Sequence, residues 1–238
     1  MYIKSFSAMF SAMRLLLKSR RVLVLLLAAW AGLLASVYLF ASTREATISQ
    51  LLLTLVVVIA AGALFFFLQA VSVTYADGPI SGGHVRKTVI DCLKLILVSL
   101  PVLAITLLAL YGLNKIQTYL TLATMLRYLV VGVVAPMLAI QLWIATTKSG
   151  LRDLMKSLRG VLSKTFAPQS VFVYACGFLM FAVVPYVLLQ IGTSSQRPWL
   201  ELSVLVVRLA ASAVLVLLGW VTTVGAISIL SRNNLPGA

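Results

Sequence analysis

The sequence predicts an all-α integral membrane protein with six transmembrane helices. Of its 238 residues, 62 % are hydrophobic and only 10 % are charged, whereas a soluble domain is about 45–50 % apolar and about 25 % charged. Unpaired backbone groups are costly in hydrocarbon and no apolar stretch alternates as a strand does, so each stretch is expected to be a helix of about 20 residues. The six stretches are Val22–Ala41, Gln50–Val73, Leu95–Leu113, Tyr128–Ala145, Ser170–Ile191 and Leu209–Leu230.

The distribution of basic residues predicts the orientation. Fourteen of the nineteen Lys and Arg residues lie at the termini and in the segments 76–94 and 146–165. Because cytoplasmic loops carry the excess of Lys and Arg, both termini are predicted to be cytoplasmic in a multi-pass cell (inner) membrane. The formal net charge of +14 is therefore attributed to orientation and to anionic phospholipids at the cytoplasmic face, not to nucleic acid.

Basic amphipathic stretches are predicted to lie in the cytoplasmic interface, one ahead of each hairpin of spans. Two share one spacing of apolar residues, and the middle stretch is looser. The first has Phe6, Met9, Phe10, Met13, Leu16 and Leu17, and the third has Leu151, Leu154, Met155, Leu158, Val161 and Leu162. The basic residues assigned to this interface are Arg14, Lys18, Arg20, Arg21, Arg152, Lys156 and Arg159.

The same pattern predicts an internal repeat within a single polytopic domain, 1–238. Gln69 and Gly78 are nine residues apart at the end of the second span, as are Gln141 and Gly150 at the end of the fourth. Together with the amphipathic stretches, this spacing indicates three hairpin units of approximately 1–76, 77–147 and 148–238.

Local signals mark where several helices begin, bend or approach each other. Thr47 followed by Gln50 is a capping-box pattern at the start of the second span. Ala28, Gly32 and Ser36 place small residues on one face of the first span, where another helix can come close. Prolines inside spans are expected to kink them, and these are Pro101, Pro136 and Pro185.

The architecture resembles that of a known domain. The basic amphipathic segments, such as Leu151–Lys164, and the hairpins ending in Phe67-Leu68-Gln69-Ala70 and Ala139-Ile140-Gln141-Leu142 carry the resemblance. They are similar in layout to the uncharacterised polytopic membrane domain attached to some bacterial glycerophosphoryl diester phosphodiesterases, and to its stand-alone relatives. The resemblance covers the whole chain as architecture, without a shared signature motif and without the phosphodiesterase catalytic domain. It implies a membrane-associated function.

Two arginines and three glutamines are the candidate functional groups inside the spans. Arg127 and Arg208 stand one or two turns inside the outer ends of their helices. They extend their charge to the outer headgroups, have a structural role, or bind an anion or lipid headgroup. The amides are expected to form interhelical hydrogen bonds, with a transport path as the alternative, and they belong to Gln69, Gln141 and Gln190.

The sequence offers little for catalysis. His84 is the only histidine, and no metal-ligand spacing, phosphate-binding loop or nucleophile motif accompanies it. No cofactor or metal is expected. The predicted function is that of a non-catalytic accessory, scaffold or lipid-interacting subunit, and other membrane subunits are candidate partners. The alternative is a small transporter or permease component. An acid-bearing wet cavity would favour transport, and a continuous apolar groove would favour lipid or partner binding.

Overall fold

The computed structural model describes residues 2–43, 47–77, 82–115, 120–192 and 198–233, of which 96 % are helical, with no strand among them. This confirms the all-α class. The helices are α1 (Tyr2–Lys18), α2 (Arg20–Ser42), α3 (Ile48–Thr74), α4 (Gly82–Lys115), α5 (Leu120–Leu129), α6 (Ala135–Thr165), α7 (Pro168–Phe178), α8 (Val184–Gln190) and α9 (Pro198–Asn233). A 3₁₀ turn, Tyr75–Asp77, follows α3, and π-helical turns at Val130–Val134 and Leu179–Val183 join α5 to α6 and α7 to α8.

Six segments of the described chain are long and apolar enough to cross a membrane, which confirms the predicted number. They are Arg20–Ser42, Ile48–Thr74, Lys87–Lys115, Thr121–Leu151, Pro168–Gln190 and Trp199–Ser231. The fourth begins seven residues before the predicted Tyr128, because the helix continues through Arg127 instead of ending at that charge. The chain is thus a multi-pass membrane protein.

The start of α3 follows from its capping residues, as predicted. The backbone N–H of Gln50 donates to Thr47 Oγ1 at 3.4 Å, and the N–H of Thr47 donates to Gln50 Oε1 at 3.1 Å. These two bonds satisfy donors that the first turn of a helix leaves without a backbone partner. The capping box is therefore confirmed.

The middle amphipathic stretch does not form a separate helix. It is continuous with the third span in α4, which runs over 34 residues from Gly82 to Lys115 and includes Pro101. No glycine or proline stands between Gly83 and Pro101 to interrupt the backbone ladder. The prediction of a distinct interfacial helix here was wrong for that reason.

The third amphipathic stretch is joined to the fourth span through a bend at Gly150. Gly150 has φ of 79° and ψ of 169°, a conformation that glycine adopts readily and other residues do not. The bend divides α6 into a first arm, 135–149, and a second arm, 151–165. Leu154 and Val161 of the second arm are buried against Val98 of α4, so part of the predicted apolar stripe packs on the protein.

Both π-helical turns end two residues before a proline in a span. The N–H of Ala135 donates to the carbonyl of Val130, and the N–H of Val184 donates to that of Leu179, each five residues back. Pro136 and Pro185 follow at the next position and lack the N–H that the α-helical ladder requires. The prolines thus account for the interruption of the regular ladder in these two spans.

Glycines allow close packing of α9 and of the α2–α3 pair. A Cβ added at Gly177 would overlap Thr223 of α9, and one added at Gly225 would overlap the Tyr75 hydroxyl. A Cβ at Gly32 would lie 3.1 Å from Leu64, so the small-residue face of α2 packs against α3 of the same chain. α9 in turn contacts α1, α3, α6, α7 and α8 and forms the centre of the bundle.

Candidate functional site

A large apolar groove lies among the spans. Its volume is about 550 Å³, and α2, α3, α4, α6 and α9 all contribute residues to its walls. That volume is within the range of about 300–1,000 Å³ found for sites that bind small organic molecules. None of the described residues that line it is charged. The groove can therefore hold an uncharged, apolar molecule or part of one.

Three of the chain's four tryptophans line the groove, and two of their N–H groups already have partners. Trp143 Nε1 donates to Ser99 Oγ of α4 at 2.8 Å, and Trp220 Nε1 donates to Gln69 Oε1 of α3 at 2.8 Å. Trp30 Nε1 is buried without a hydrogen-bond partner among the described residues. The paired bonds hold the indole rings of Trp143 and Trp220 in place.

The groove opens sideways, toward the surface that the spans present to lipid. Leu100 and Leu103 of α4 line it and are both 55 % exposed, and Val131 in the first π-helical turn is 51 % exposed. Trp143, at the inner wall of the groove, is only 4 % exposed. Since the exposed rim is apolar and belongs to membrane spans, the groove is continuous with the hydrocarbon of a bilayer.

A tyrosine stabilises the bend in the fourth span, and this bend forms part of one wall of the groove. Because Pro136 has no N–H, the carbonyl of Gly132 lacks the amide donor that a regular helix would supply four residues later. Tyr174 Oη of α7 donates to that carbonyl at 2.6 Å. Val131, Ala135 and Pro136 of this region all line the groove, so the Tyr174 bond stabilises its wall.

A buried carboxylate lies outside the groove. Asp91 of α4 is 1 % exposed, and its Oδ1 pairs with Lys94 Nζ at 3.0 Å. Asp91 Oδ2 has no hydrogen-bond partner among the described residues. No group of three His, Cys, Asp or Glu side chains suited to a metal ion occurs in the described part of the chain, and His84 is outside the described side chains.

The two outer arginines each contact the end of the helix that precedes them. Arg127 donates from Nη2 to the carbonyl of Leu113, near the end of α4, at 3.5 Å. Arg208 donates from Nη1 to the carbonyl of Ile191, just after α8. Each guanidinium thus lies at the negative end of a helix dipole, a structural role. Binding of an anion or lipid headgroup by these arginines stays a prediction.

The three glutamines have different environments. Gln69 accepts the bond from Trp220 and so links α3 to α9, while Gln141 Nε2 donates to Ser170 Oγ of α7 at 3.4 Å. Gln190 is exposed at the last residue of α8, and no described residue hydrogen-bonds its side chain. Only Gln69 lines the groove.

α1 has three distinct faces. Its buried face includes the small residues Ala8 and Ala12, which allow α1 to pack against the bundle. The Tyr75 hydroxyl donates to the carbonyl of Val221 at 3.2 Å and lies 3.5 Å from the carbonyl of Ala12. Burial raises the pKa of Tyr75, so the hydroxyl stays a donor. The other two faces are exposed: one apolar, with Tyr2, Ile3, Phe6, Phe10, Met13 and Leu17, and one polar, with Lys4, Ser7, Ser11, Arg14 and Lys18.

The predicted apolar stripe of α1 is therefore mostly exposed. Of its six residues only Leu16 is fully buried, because the smaller residues beside the stripe make the closer contact with α7 and α9. The interface arginines Arg20, Arg21 and Arg159 are exposed as well. The side chains of Arg152 and Lys156 are outside the described part of the structure.

Sequence reasoning missed the groove and the residues that shape it. Trp30, Trp143 and Trp220 are far apart in the chain, and nothing in their spacing indicates a common site. Pro136 does signal a carbonyl without an amide donor, but it does not signal that Tyr174, on another helix, supplies one. Of the candidate functional residues predicted from the sequence, Gln69 is the one that lines the groove, and its predicted interhelical hydrogen bond is the bond with Trp220.

Comparison with protein-family models, with characterised proteins and with solved structures gave no match. The fold and the groove define the class of the protein: a multi-pass membrane protein with six candidate spans and an uncharged cavity among them.

Proposed function

We propose that the protein is a non-catalytic membrane protein that binds lipid by holding an acyl chain in the groove, as an accessory, scaffold or lipid-interacting subunit. The observation that carries this proposal is the uncharged groove of about 550 Å³ with its exposed apolar rim. A void of that size inside a packed bundle loses dispersion contacts, which an inserted hydrocarbon chain restores. Acyl chains are the most abundant molecules at the rim.

The composition of the walls supports an acyl chain over a transported solute. A coupled transporter places ionisable groups along its path, and no charged residue lines the groove in the described chain. The buried carboxylate of Asp91 is outside the groove and pairs with Lys94. The small transporter or permease component is accordingly the weaker candidate.

The proposal includes a placement in the cell. Both termini and the segments 76–94 and 146–165 face the cytoplasm of an inner membrane, by the excess of basic residues. α1 lies in the interface, with its three faces toward the bundle, the acyl chains and the cytoplasm, and its basic face near anionic phospholipids. The three-unit repeat and the resemblance to the phosphodiesterase-associated domain stay predictions.

Retention of lipid after mild extraction tests the function. Native mass spectrometry of the protein in a neutral detergent is expected to show bound phospholipid. Ala139 lines the groove, so Ala139→Phe fills part of it and is expected to reduce the fraction of lipid-bound protein. Leu107→Phe adds an aromatic ring at an exposed position on α4 outside the groove and is the matched control.

The result that contradicts the proposal is equal lipid retention in the two variants, or no retention in the unmodified protein. Thermal unfolding of both variants shows whether each remains folded, so a loss of binding is separated from a loss of structure.

A further inference from the structure

A second cavity lies in the bend of α6. Its volume is about 220 Å³, and it is an open cavity bordered by the two arms of α6 and by Ser231 near the end of α9. Gln141, Lys148 and Ser149 come from the first arm, and Gly160 and Lys164 from the second. This elbow cavity shares no lining residue with the groove, so it stands as a separate feature.

The lining of the elbow cavity is mainly apolar, and it also includes hydrogen-bond donors and two lysines. Lys164 is half-buried and makes no hydrogen bond or ion pair with the described residues. Lys148 Nζ donates to the carbonyl of Ser228 at 3.0 Å and to Ser231 Oγ at 3.2 Å. Gln141 and Ser149 add an amide and a hydroxyl. The described lining residues include two ammonium groups and no carboxylate.

We propose that the elbow cavity binds a phosphate oxyanion, either the phosphate of a lipid headgroup or free phosphate. Two ammonium groups with neighbouring hydroxyl and amide donors provide charge-assisted hydrogen bonds to such an anion. A water occupies about 30 Å³ of liquid volume, so a phosphate group and a few waters fit the cavity. Basic pockets between transmembrane helices at the cytoplasmic side are places where phospholipid headgroups bind.

The competing explanation is structural. Lys164 lies in the last turn of α6, where a cation is stabilised by the helix dipole, and Lys148 joins α6 to α9. Neither role requires an anion. Lys164 separates the explanations best, because it lines the cavity and makes no hydrogen bond or ion pair with the described residues.

Two probes and three variants test the site. Inorganic phosphate is titrated into the protein in neutral detergent at constant ionic strength, and phosphatidylglycerol is then added as a competitor. Lys164→Gln removes one charge from the cavity, and Arg159→Gln removes one from an exposed position on the same arm that does not line it. Gly160→Leu adds a side chain at a residue that lines the cavity, where a Cβ meets no atom within 4 Å.

Lys164→Gln is expected to weaken binding about tenfold, which corresponds to one charge-assisted hydrogen bond. Gly160→Leu is expected to abolish binding without loss of helical stability, and Arg159→Gln to leave the affinity within about twofold. Displacement of phosphate by phosphatidylglycerol assigns the site to a lipid headgroup, and the lack of displacement assigns it to free phosphate. The proposal is overturned if neither probe distinguishes Lys164→Gln from Arg159→Gln.

Discussion

At the scale of single residues, the contact between Gly225 and Tyr75 determines how α1, α3 and α9 meet. The Tyr75 ring occupies the space where a side chain at position 225 would begin, and its hydroxyl donates to Val221 of the same helix. Tyr75 is buried and belongs to the cluster that includes Leu16 of α1 and Val71 of α3. A change as small as one methyl group at this point acts on three helices.

Gly225→Ala is expected to destabilise the protein by about 1–3 kcal/mol, because the added methyl group overlaps the tyrosine ring and the well-packed neighbours cannot yield. Thermal unfolding in detergent measures the effect. Gly62→Ala is the matched control, since a Cβ at Gly62 meets nothing within 4 Å and alanine favours the helix. Equal stability of the two variants would contradict the packing of Tyr75 against α9.

At the scale of the elements, the two spans with π-helical turns show how a proline is accommodated inside a membrane helix. A carbonyl without a partner is costly in hydrocarbon, and a side chain from a neighbouring helix can supply the donor. Tyr174 does so for Gly132, 42 residues away in sequence. The bond couples the bend of the fourth span to α7.

Tyr174→Phe is expected to cost about 1 kcal/mol, because the Gly132 carbonyl loses its donor. The loss of stability caused by Tyr174→Phe should be smaller in a Pro136→Ala background, because the restored N–H of residue 136 can donate to the Gly132 carbonyl. A double-mutant cycle by chemical or thermal unfolding measures this coupling. Tyr128→Phe, which removes an exposed hydroxyl, is the control. Additive effects of Tyr174→Phe and Pro136→Ala would show that the bond does not compensate for the proline.

At the scale of the whole molecule, the number of spans was predictable and the groove was not. Long apolar runs such as Gln50–Val73 require helices whatever their neighbours are, and a local pair such as Thr47 and Gln50 marks a helix start by itself. The groove depends on how five helices pack together. The contact between Trp220 and Gln69, 151 residues apart, has no local signal, and neither does the docking of α1 through its alanines.

The orientation is a property of the whole chain and can be mapped with cysteines. After replacement of the native Cys92 and Cys176 by alanine, single cysteines at Ser149 and Thr43 are expected to label from opposite sides of the membrane. Ser149 borders the basic bend of α6 and should be reached only from the cytoplasm, and Thr43 follows α2 at the other side. Labelling of the Ser149 position by an impermeant reagent in intact cells would reverse the orientation.

The most direct test of acyl-chain binding is the quenching of Trp143 fluorescence by phospholipids that carry bromine in the middle of an acyl chain. Trp143 is only 4 % exposed, so bulk lipid has little direct access to it. In a variant that retains Trp143 and has phenylalanine at the other three tryptophans, brominated lipid is expected to quench the fluorescence strongly. Ala139→Phe, which fills the groove one turn away, is expected to relieve the quenching. Quenching that is absent, or that Ala139→Phe leaves unchanged, would contradict the presence of an acyl chain in the groove.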